Sequence, residues 1–255
     1  MQPVASELLV WNEPLKVHSY DVDFNGRATS ATLCRHFLEA AWNHAEALGV
    51  GFSHLGSQGK FWVLSRLRLE ARRYPAWGSV GTLRTWPRTP SALFAMRDFE
   101  VLDEAGAVLV AASSAWVVLD EASKRPQRVT RLFPGLKDLN GRPALARDPE
   151  KLPDCEVWDG HSLARVRYSD IDVNGHVGSS RYIGWMLDAY PFEHHRAHWV
   201  RVLEINYLGE TVAGEELSVR THQIGPAEYC HSLARNNGDE VCRARMEWVA
   251  SSASI

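Results

Sequence analysis

Tyr-Ser-Asp-Ile-Asp-Val-Asn-Gly-His, residues 168–176, has a near copy upstream. The stretch Tyr-Asp-Val-Asp-Phe-Asn-Gly-Arg, residues 20–27, matches it once one extra residue is allowed after the tyrosine. Asp23 and Asp172 lie 149 residues apart, which is the size of a domain. Solenoid repeats recur every 20–50 residues or so. The spacing therefore indicates a duplicated module, and the chain of 255 residues divides into two related halves.

Each copy of the motif lies between a strand-like run and a helical pattern. The strand-like runs cover residues 15–20 and 163–168. After each motif, apolar residues recur at the three- and four-residue spacing of a helix. We expect these helices over roughly 31–48 and 179–190, the second one ended by Pro191, since proline cannot continue a helix.

Alternating apolar and polar residues follow each helix, as in half-buried strands. The cleanest such segment is Cys242–Trp248, and similar runs cover roughly 66–72, 79–87, 92–103, 107–119, 203–207, 214–224 and 227–236. The order of one helix and four antiparallel strands occurs twice in the chain. It predicts an α+β fold in which a sheet wraps each helix. We place the N-terminal module at 1–120 and the C-terminal one at 161–255. Five of the twelve prolines fall in 121–160, which we interpret as a linker or overcrossing loop.

The motif also fits the opening of an EF-hand calcium loop. Such a loop needs a bidentate acid at position 12, but counting from Asp170 that position is Arg181. We therefore predict no metal site. Helix capping by Asp and Asn with a glycine turn explains what the copies share. It does not explain why His176 stands where the first copy has Arg27, since arginine stays protonated whereas histidine titrates near neutrality.

A second difference between the copies lies downstream. Aligning Tyr74 with Tyr207 at the end of the first strand after each helix puts Trp77 opposite Glu210. On this alignment the C-terminal copy has an acid and a titratable base, and the N-terminal copy has neither. We expect the chemistry in the C-terminal module and a structural or substrate-shaping role for the other.

With these residues the chain resembles the acyl-acyl carrier protein (acyl-ACP) thioesterases, the double-hotdog enzymes of plant plastids and many bacteria. The resemblance implies a tandem hotdog, two helices each wrapped by antiparallel sheet, with the two sheets continuous. Thr211 stands where the plant enzymes often have cysteine. This argues against a cysteine nucleophile here and favours Glu210 as the catalytic residue of this segment. The stretches that carry the resemblance are the two motifs, Phe61–Arg66, Arg73–Gly78, Thr85–Pro87, Tyr182 with Trp185, and Tyr207–Thr211.

The resemblance implies hydrolysis of fatty acyl-ACP to a free fatty acid and holo-ACP, without a cofactor. It assigns catalysis to Asp172, Asn174, His176 and Glu210. Glu210 or His176 would act as general base, with direct attack by Glu210 left open. Asn174 would orient the water or the acid, and Asp172 would orient Asn174 or the helix start. The N-terminus of the second helix would stabilise the oxyanion.

Three other functions stay open at this point: an acyl-CoA thioesterase, a 3-hydroxyacyl thioester dehydratase and a non-catalytic acyl-binding protein. Acyl chain length, saturation and physiological role are also left open. Aromatic side chains are candidates for the acyl site, and basic ones for the acidic surface of ACP. The acyl-site candidates are Trp42, Trp62, Tyr182 and Trp185, and the partner-binding candidates are Arg181, Arg196 and Arg201. We interpret His194, His195 and His198 as a solvated turn rather than a metal site.

The bulk composition excludes several classes of protein. A formal net charge of −3 does not indicate the strongly basic surface that nucleic-acid binding requires. No apolar run approaches the roughly 18 residues of a membrane span, and no basic leader precedes an apolar segment. The four cysteines show no CxxC spacing, so we expect reduced thiols in a cytoplasmic protein. Because a tandem module contains its own pairing, either a monomer or a homodimer is feasible.

Overall fold

The computed structural model describes residues 9–139 and 141–251. The N-terminal half contains two helices and five strands. In chain order these are β1 (Trp11–Lys16), α1 (Ser30–Ala47), α2 (Phe52–Gly56), β2 (Lys60–Ala71), β3 (Val80–Pro87), β4 (Ala95–Asp103) and β5 (Val108–Asp120).

The C-terminal half repeats this order with a shorter central helix. Its elements are β7 (Gly160–Arg165), α4 (Ser179–Leu187), α5 (Phe192–Ala197), β8 (His198–Tyr207), β9 (Glu216–Gln223), β10 (Glu228–Arg235) and β11 (Glu240–Ala250). The predicted linker carries short elements of its own: β6 (Pro126–Gln127), α3 (Val129–Leu132) and a 3-10 helix, Pro134–Asp138.

All strands join one antiparallel sheet in the order β1-β3-β4-β5-β2-β8-β11-β10-β9-β7, with β6 paired to β5. The order is palindromic, because reading inward from either edge meets corresponding strands of the two halves. β2 and β8 pair at the centre, so the two half-sheets are continuous. The predicted tandem hotdog is confirmed.

Both central helices pack on one face of this sheet and share a single core. From α1, Leu33 and Phe37 are buried, and from α4, Ile183 and Met186. Phe37 stacks on Phe99 of β4 at 4.9 Å between ring centroids. Each such fully buried side chain contributes about 1.5–3 kcal/mol relative to exposure. The core therefore holds both helices against the sheet.

The two halves are related by a pseudo-twofold axis through the β2–β8 pair. Equivalent hydrogen bonds, from Arg72 N to the Leu109 carbonyl and from Leu208 N to the Val241 carbonyl, relate residues 136 apart, so the counterpart of Arg68 is Glu204. These two residues also lie directly opposite each other, which places them on the axis. Their side chains are buried, and Arg68 Nη1 donates to Glu204 Oε2 at 2.7 Å.

The chain between the halves crosses the outer face of the sheet, on the side away from the helices. Its backbone N–H groups bond to buried polar side chains of β4 and β8: Ala144 to Asp98 (3.1 Å), Glu150 to Glu204 (2.7 Å) and Leu152 to Asn206 (2.9 Å). Buried polar groups need such partners, because an unsatisfied one costs about 1–3 kcal/mol. The crossing segment thus completes the outer face of the sheet.

Several expected boundaries differ from the structure. The strands before the motifs end at Lys16 and Arg165, three to four residues earlier than expected, because the chain then turns into each motif. Helix α4 ends at Leu187 rather than at residue 190, since Asp188 is its C-cap. The Tyr190 ring packs instead against Trp248, with 4.7 Å between centroids.

The histidine-rich segment after α4 was expected to be a solvated turn, and the turn was wrong, although no residue of the segment Phe192–Ala197 is fully buried. It forms the short helix α5, and its aromatic rings pack together. His194 stacks on His198 at 4.7 Å and meets the edge of Trp248 at 4.4 Å. Burial lowers the pKa of His194 to about 4. The rings therefore contact one another and Trp248, as packing residues do.

The expectation of four reduced thiols was also wrong. Cys155 of the crossing segment and Cys230 of β10 form a disulfide, 75 residues apart in sequence. Sequence spacing does not reveal this pair, because the crossing brings the cysteines together only in the folded chain. Cys34 and Cys242 are free and buried, and burial raises the pKa of the Cys34 thiol to about 12. In the described part of the chain, no helix is long and apolar enough to span a bilayer.

Candidate active site

The motif of the second half folds into a tight turn held by Asp172. Its Oδ1 accepts hydrogen bonds from the backbone N–H of Asn174 (2.8 Å) and of His176 (3.4 Å). Its own N–H donates to the His176 carbonyl at 2.8 Å, and Gly175 supplies a left-handed φ of 80°. Asp23 makes the same turn in the first half, accepting from Asn25 N at 2.8 Å. The aspartate is therefore a turn-forming residue in both copies.

The first acidic residue of the motif, Asp170, points into a different set of partners. It is buried and accepts from the backbone N–H of Arg167 at 2.8 Å and from Arg181 Nε at 2.7 Å. A calcium loop would need the oxygens of Asp170 and Asp172 to converge on one ion. Here arginine and backbone donors occupy them separately, so the geometry does not suit calcium.

Directly after the turn, His176 meets the Glu210 side chain. His176 Nε2 and Glu210 Oε2 lie 3.3 Å apart. Their side chains are 32% and 38% exposed. Partial exposure follows from the position of both residues in loops at one end of β8. An acid and a titratable base in contact, open to water, can move a proton to or from a bound substrate.

Equivalent hydrogen bonds in the two halves correct the alignment made from sequence. Val177 N donates to the Thr211 carbonyl at 2.9 Å, and Ala28 N donates to the Pro75 carbonyl at 2.9 Å. Pro75 is therefore the counterpart of Thr211, and the residue before it, Tyr74, is the counterpart of Glu210. Pairing Trp77 with Glu210 was wrong by three residues.

The error came from matching two tyrosines that make different contacts. Tyr74 Oη donates to the Val200 carbonyl at 3.0 Å, whereas Tyr207 Oη donates to the Ser179 carbonyl at 3.1 Å. The first half still has neither an acid nor a titratable base at the two positions, because Arg27 and the buried Tyr74 occupy them. Burial raises the pKa of Tyr74 far above its ordinary value.

The two central helices begin differently. In α1, Thr29 is the N-cap, and its Oγ1 accepts from Thr32 N at 3.1 Å. In α4 the N-cap is Gly178, which has no side chain to accept such a bond. Helix N-termini carry free N–H groups and a partial positive charge. The uncapped end of α4 follows His176 by only two residues, so it can receive a developing negative charge near the pair.

Only the first turn is covered by a neighbouring helix among the described residues. Asn25 Nδ2 donates to the His195 carbonyl at 3.0 Å, and Phe24 packs on Phe192 of α5 at 5.5 Å. In the second half, Asn174 is exposed and Val173 is 88% exposed. The turn that carries His176 is thus accessible to a large substrate, whereas α5 packs on the turn that carries Arg27 and leaves Phe24 52% exposed.

The N-terminal half contributes a cation to this site. Lys124 Nζ lies 4.0 Å from Glu210 Oε2 and 4.9 Å from the centroid of the Phe61 ring. No sequence pattern indicated Lys124, which precedes Glu210 by 86 residues in a segment interpreted as linker. Only the pairing of the two half-sheets brings it to the site.

The four aromatic candidates for an acyl site do not share one surface. Tyr182 and Trp185 are buried in the main core, with their rings edge to face at 5.7 Å. Trp62 belongs to a second cluster, where its indole N–H donates to the Val50 carbonyl at 2.8 Å. Trp42 is 40% exposed on the surface of α1. Their role in binding an acyl chain stays a prediction.

The three arginine candidates each have an intramolecular contact. Arg181 pairs with Asp170 at 2.6 Å, and Arg201 Nε donates to Glu247 at 3.0 Å. The guanidinium of Arg196 lies 5.9 Å from the ring of Phe24. Arg181 and Arg201 keep nearly half of their side chains exposed despite these ion pairs, so contact with a partner stays a prediction. Within the described ranges, no group of three or more His, Cys, Asp or Glu side chains is arranged to hold a metal ion.

Comparison with known proteins gives matches over both halves. A family model of the acyl-ACP thioesterase N-terminal domain matches residues 9–133, and one of the C-terminal domain matches residues 159–250. The palmitoyl-acyl carrier protein thioesterase of Gossypium hirsutum is 27% identical over 268 residues. That match covers 96% of this chain and 65% of the relative. The oleoyl-acyl carrier protein thioesterase 2 of Arabidopsis thaliana is 30% identical over 252 residues, 92% of this chain and 69% of the relative.

Solved structures show the same architecture. An acyl-ACP thioesterase from Bacteroides thetaiotaomicron superposes with a TM-score of 0.87 at 28% identity, covering 96% of this chain and all of that one. The 12:0-ACP thioesterase from Umbellularia californica gives a TM-score of 0.84 at 24% identity and covers 95% of this chain and 98% of that one, a likeness of fold. The chain spans about two thirds of the length of the plant relatives it matches.

Proposed function

The chain belongs to the acyl-ACP thioesterase family, and from this premise we propose that it hydrolyses the thioester of fatty acyl-ACP to a free fatty acid and holo-ACP. The observation that supports this most directly is the contact of His176 with Glu210, at 3.3 Å beside an accessible turn. Hydrolysis of a thioester needs an activated water and a site for the oxyanion, and no cofactor.

In the proposed reaction, the His176–Glu210 pair takes a proton from water as the water oxygen attacks the thioester carbonyl carbon. The tetrahedral intermediate then collapses, the C–S bond breaks, and the pair returns the proton to the departing thiolate of the phosphopantetheine arm. General base catalysis of this kind contributes about 10²–10⁴-fold. The competing route, in which Glu210 attacks the carbonyl itself, predicts an acyl-enzyme anhydride that rapid quenching and mass spectrometry would detect.

The hydrogen bonds of the turn refine the roles of Asp172 and Asn174. Asp172 holds the backbone that presents His176, so we assign it as a positioning residue. Asn174 is exposed on the same turn, and we propose that its amide orients the attacking water. The uncapped N-terminus of α4 would stabilise the oxyanion, an interaction worth about 10²–10³-fold per donor.

We propose ACP as the partner, with Arg181, Arg196 and Arg201 as candidates for contact with its acidic surface. Charge reversal at Arg196 or Arg201 should raise the KM for acyl-ACP and leave acyl-CoA kinetics unchanged. Arg181 is tested by Arg181→Gln, because an acid there would face the buried Asp170. We retain a monomer and a homodimer as the two candidate states, which size-exclusion chromatography with light scattering distinguishes. The plant relatives are named chloroplastic, so the cytoplasmic location is a proposal that cell fractionation tests.

Matched substrates test the proposed function. The purified protein is given palmitoyl-ACP and palmitoyl-CoA, and thiol release and free acid are both measured. We expect a higher kcat/KM on palmitoyl-ACP, lost in the Glu210→Gln variant. Equal or faster cleavage of palmitoyl-CoA would favour an acyl-CoA thioesterase. Dehydration of 3-hydroxyacyl thioesters without thiol release would favour a dehydratase. Mass spectrometry of acids released in a fatty-acid-synthesising host then gives the chain length.

A further inference from the structure

Lys124 lies in the loop that joins β5 to β6, in the predicted linker but within residues 9–133 that match the N-terminal domain of the family, yet its ammonium reaches the site of the C-terminal half. Its Nζ is 4.0 Å from Glu210 Oε2, the same oxygen that lies 3.3 Å from His176 Nε2. We propose that Lys124 is a positioning residue that holds the Glu210 carboxylate toward His176. This inference rests on the proposed function and adds to it a group supplied by the half that lacks the acid and the base.

The loop that carries Lys124 is held by several hydrogen bonds. Lys124 N donates to the Asp120 carbonyl at 2.8 Å, and Ser123 N donates to Asp120 Oδ1 at 2.9 Å. Glu121 N donates to the Gly59 carbonyl at 2.8 Å, which ties the loop to the start of β2. The base of the lysine side chain is therefore fixed relative to the sheet.

The backbone at Lys124 is in the left-handed region, with a φ of 54°. Among the described residues other than glycine, no other has a positive φ. Glycine or asparagine occupies this region with less strain, and strained non-glycine residues cluster at functional sites. A lysine at this position is thus poorly explained by the turn alone. A role for its side chain accounts for it.

One contact holds the Lys124 ammonium beside Glu210, and another fixes the Glu210 backbone. The Phe61 ring lies 4.9 Å away, within the range of a cation–π interaction. Arg235 donates to the backbone carbonyl of Glu210, so it fixes the main chain and leaves the carboxylate to other partners. The Glu210 side chain is 38% exposed and would otherwise exchange among rotamers. An exposed ion pair adds little to stability, but small displacements of a catalytic group cost rate.

The test compares Lys124→Asn with Lys124→Arg. Asparagine removes the charge and accepts the left-handed backbone, so the loop should keep its fold. For Lys124→Asn on palmitoyl-ACP we expect kcat to fall about 5- to 20-fold, a part of the roughly 10²–10⁴-fold of general base catalysis. The KM should stay within about twofold, because the lysine acts through Glu210 and not on substrate. Lys124→Arg keeps the cation and should restore kcat to within about threefold.

Lys60→Ala is the matched control. Lys60 is the first residue of β2 and, like the loop of Lys124, lies beside Gly59. Its Nζ donates to the Gln58 carbonyl at 3.1 Å and not to Glu210. Removing it should leave kcat unchanged. An unchanged kcat in Lys124→Asn overturns the inference, and so does a rise in KM alone, which would mark Lys124 as a surface contact for the carrier.

A double variant separates action through Glu210 from any other action. In the Glu210→Gln background, Lys124→Asn should change the single-turnover rate by less than about twofold, because the group it positions is gone. A full 5- to 20-fold loss persisting there overturns the inference. Failure of the proposed function has a different signature. In that case Glu210→Gln and His176→Ala would themselves leave hydrolysis intact, whereas a silent Lys124→Asn beside inactive Glu210→Gln refutes only the role of Lys124.

Discussion

The same turn occurs twice in this molecule and serves two different purposes. Asp23 and Asp172 form it with the same hydrogen bonds to the backbone. In the first copy, the surrounding positions hold Arg27, Tyr74 and the N-cap residue Thr29. The second copy has His176, Glu210 and the side-chain-free Gly178 instead. Capping, burial and cover by α5 stabilise the first copy, whereas the second leaves polar groups uncovered. Stabilising and reactive features are thus separated between two halves of one scaffold.

The largest expected effect comes from removing the base of the second copy. His176→Ala should lower kcat for palmitoyl-ACP by about 10²–10⁴-fold, because proton transfer at the thioester loses its partner. Arg27→Ala, the matched change in the first copy, should leave kcat within about twofold. Steady-state kinetics of both variants make the measurement. Equal losses in the two variants would contradict the division of roles.

The second largest effect is expected on the free energy of unfolding, from a substitution at the junction between the two halves. Arg68→Ala leaves Glu204 buried with only the longer Arg147 contact (3.5 Å) and the Glu150 backbone N–H, and should lower the free energy of unfolding by about 3 kcal/mol in urea titrations. Arg201→Ala removes an exposed partner of Glu247 and should cost less than about 1 kcal/mol. A small effect of Arg68→Ala would show that the crossing segment alone satisfies Glu204.

Giving the second helix the cap of the first should trade activity for stability. Gly178 has φ −61° and ψ 136°, and an added Cβ would meet the Asp170 carbonyl oxygen at 3.9 Å, an ordinary contact. Gly178→Ser should therefore fit and raise the free energy of unfolding by a few tenths of a kcal/mol. It should lower kcat by about 10²-fold, because the serine hydroxyl would occupy N–H groups needed by the oxyanion.

The reverse change is the control for the cap. Thr29→Ala should cost about 1 kcal/mol in the free energy of unfolding and leave kcat unchanged. If Gly178→Ser kept full activity, the N-terminus of α4 would not be the oxyanion site. Thermal or urea unfolding measured beside steady-state kinetics separates the two effects.

The smallest expected effect is a pH dependence placed in the second half. The matching bulges and turns of β4 and β10 make His231 the counterpart of Phe99. Complete burial lowers the pKa of His231 to about 3, from an unfolded value near 6.5. Between about pH 3 and pH 6.5, His231 binds a proton in the unfolded chain but not in the folded one. Its contribution to the free energy of unfolding is therefore complete above about pH 6.5 and decreases as the pH falls. The contribution of this group should drop by about 2 kcal/mol from pH 7 to pH 5.

His231→Phe tests this assignment, because it installs the residue of the first half. The variant should lose stability at pH 7, since Tyr190 Oη, 2.9 Å from His231 Nε2, loses a partner. Its loss of stability between pH 7 and pH 5 should be about 2 kcal/mol smaller than in the parent protein. An unchanged pH dependence would place the acid sensitivity elsewhere.

The sequence predicted the features that repeat or alternate. The duplicated motif, α1, the strand runs and the contrast of His176 with Arg27 all follow from local patterns, whereas Glu210 was indicated by the family resemblance. The contact of His176 with Glu210 joins residues 34 apart in one half, and the resemblance to a family named both. What depended on local chemistry was therefore accessible before the fold was known.

Features created by long-range pairing were not predictable. Lys124 reaches Glu210 only because β2 pairs with β8, and Cys155 meets Cys230 only because the linker crosses the sheet. The alignment error at Tyr74 has a related cause: similar tyrosines were matched, whereas backbone hydrogen bonds define the true counterpart. His176 is partly exposed because its environment is set by the open second turn, which no periodicity reports.

The pair of Arg68 and Glu204 bears on the ancestry of the chain. Two identical half-chains meeting at this axis would bring arginine against arginine or glutamate against glutamate, and like charges buried together repel. Opposite charges at one symmetric position exist only when the two halves are encoded separately. The present halves would therefore select each other over their own duplicates if expressed as two polypeptides. A chain with arginine at position 68 and glutamate at position 204 cannot be divided into two identical halves without burying like charges at the junction. The difference between the halves, which permits a specialised second half, is therefore present in the junction itself.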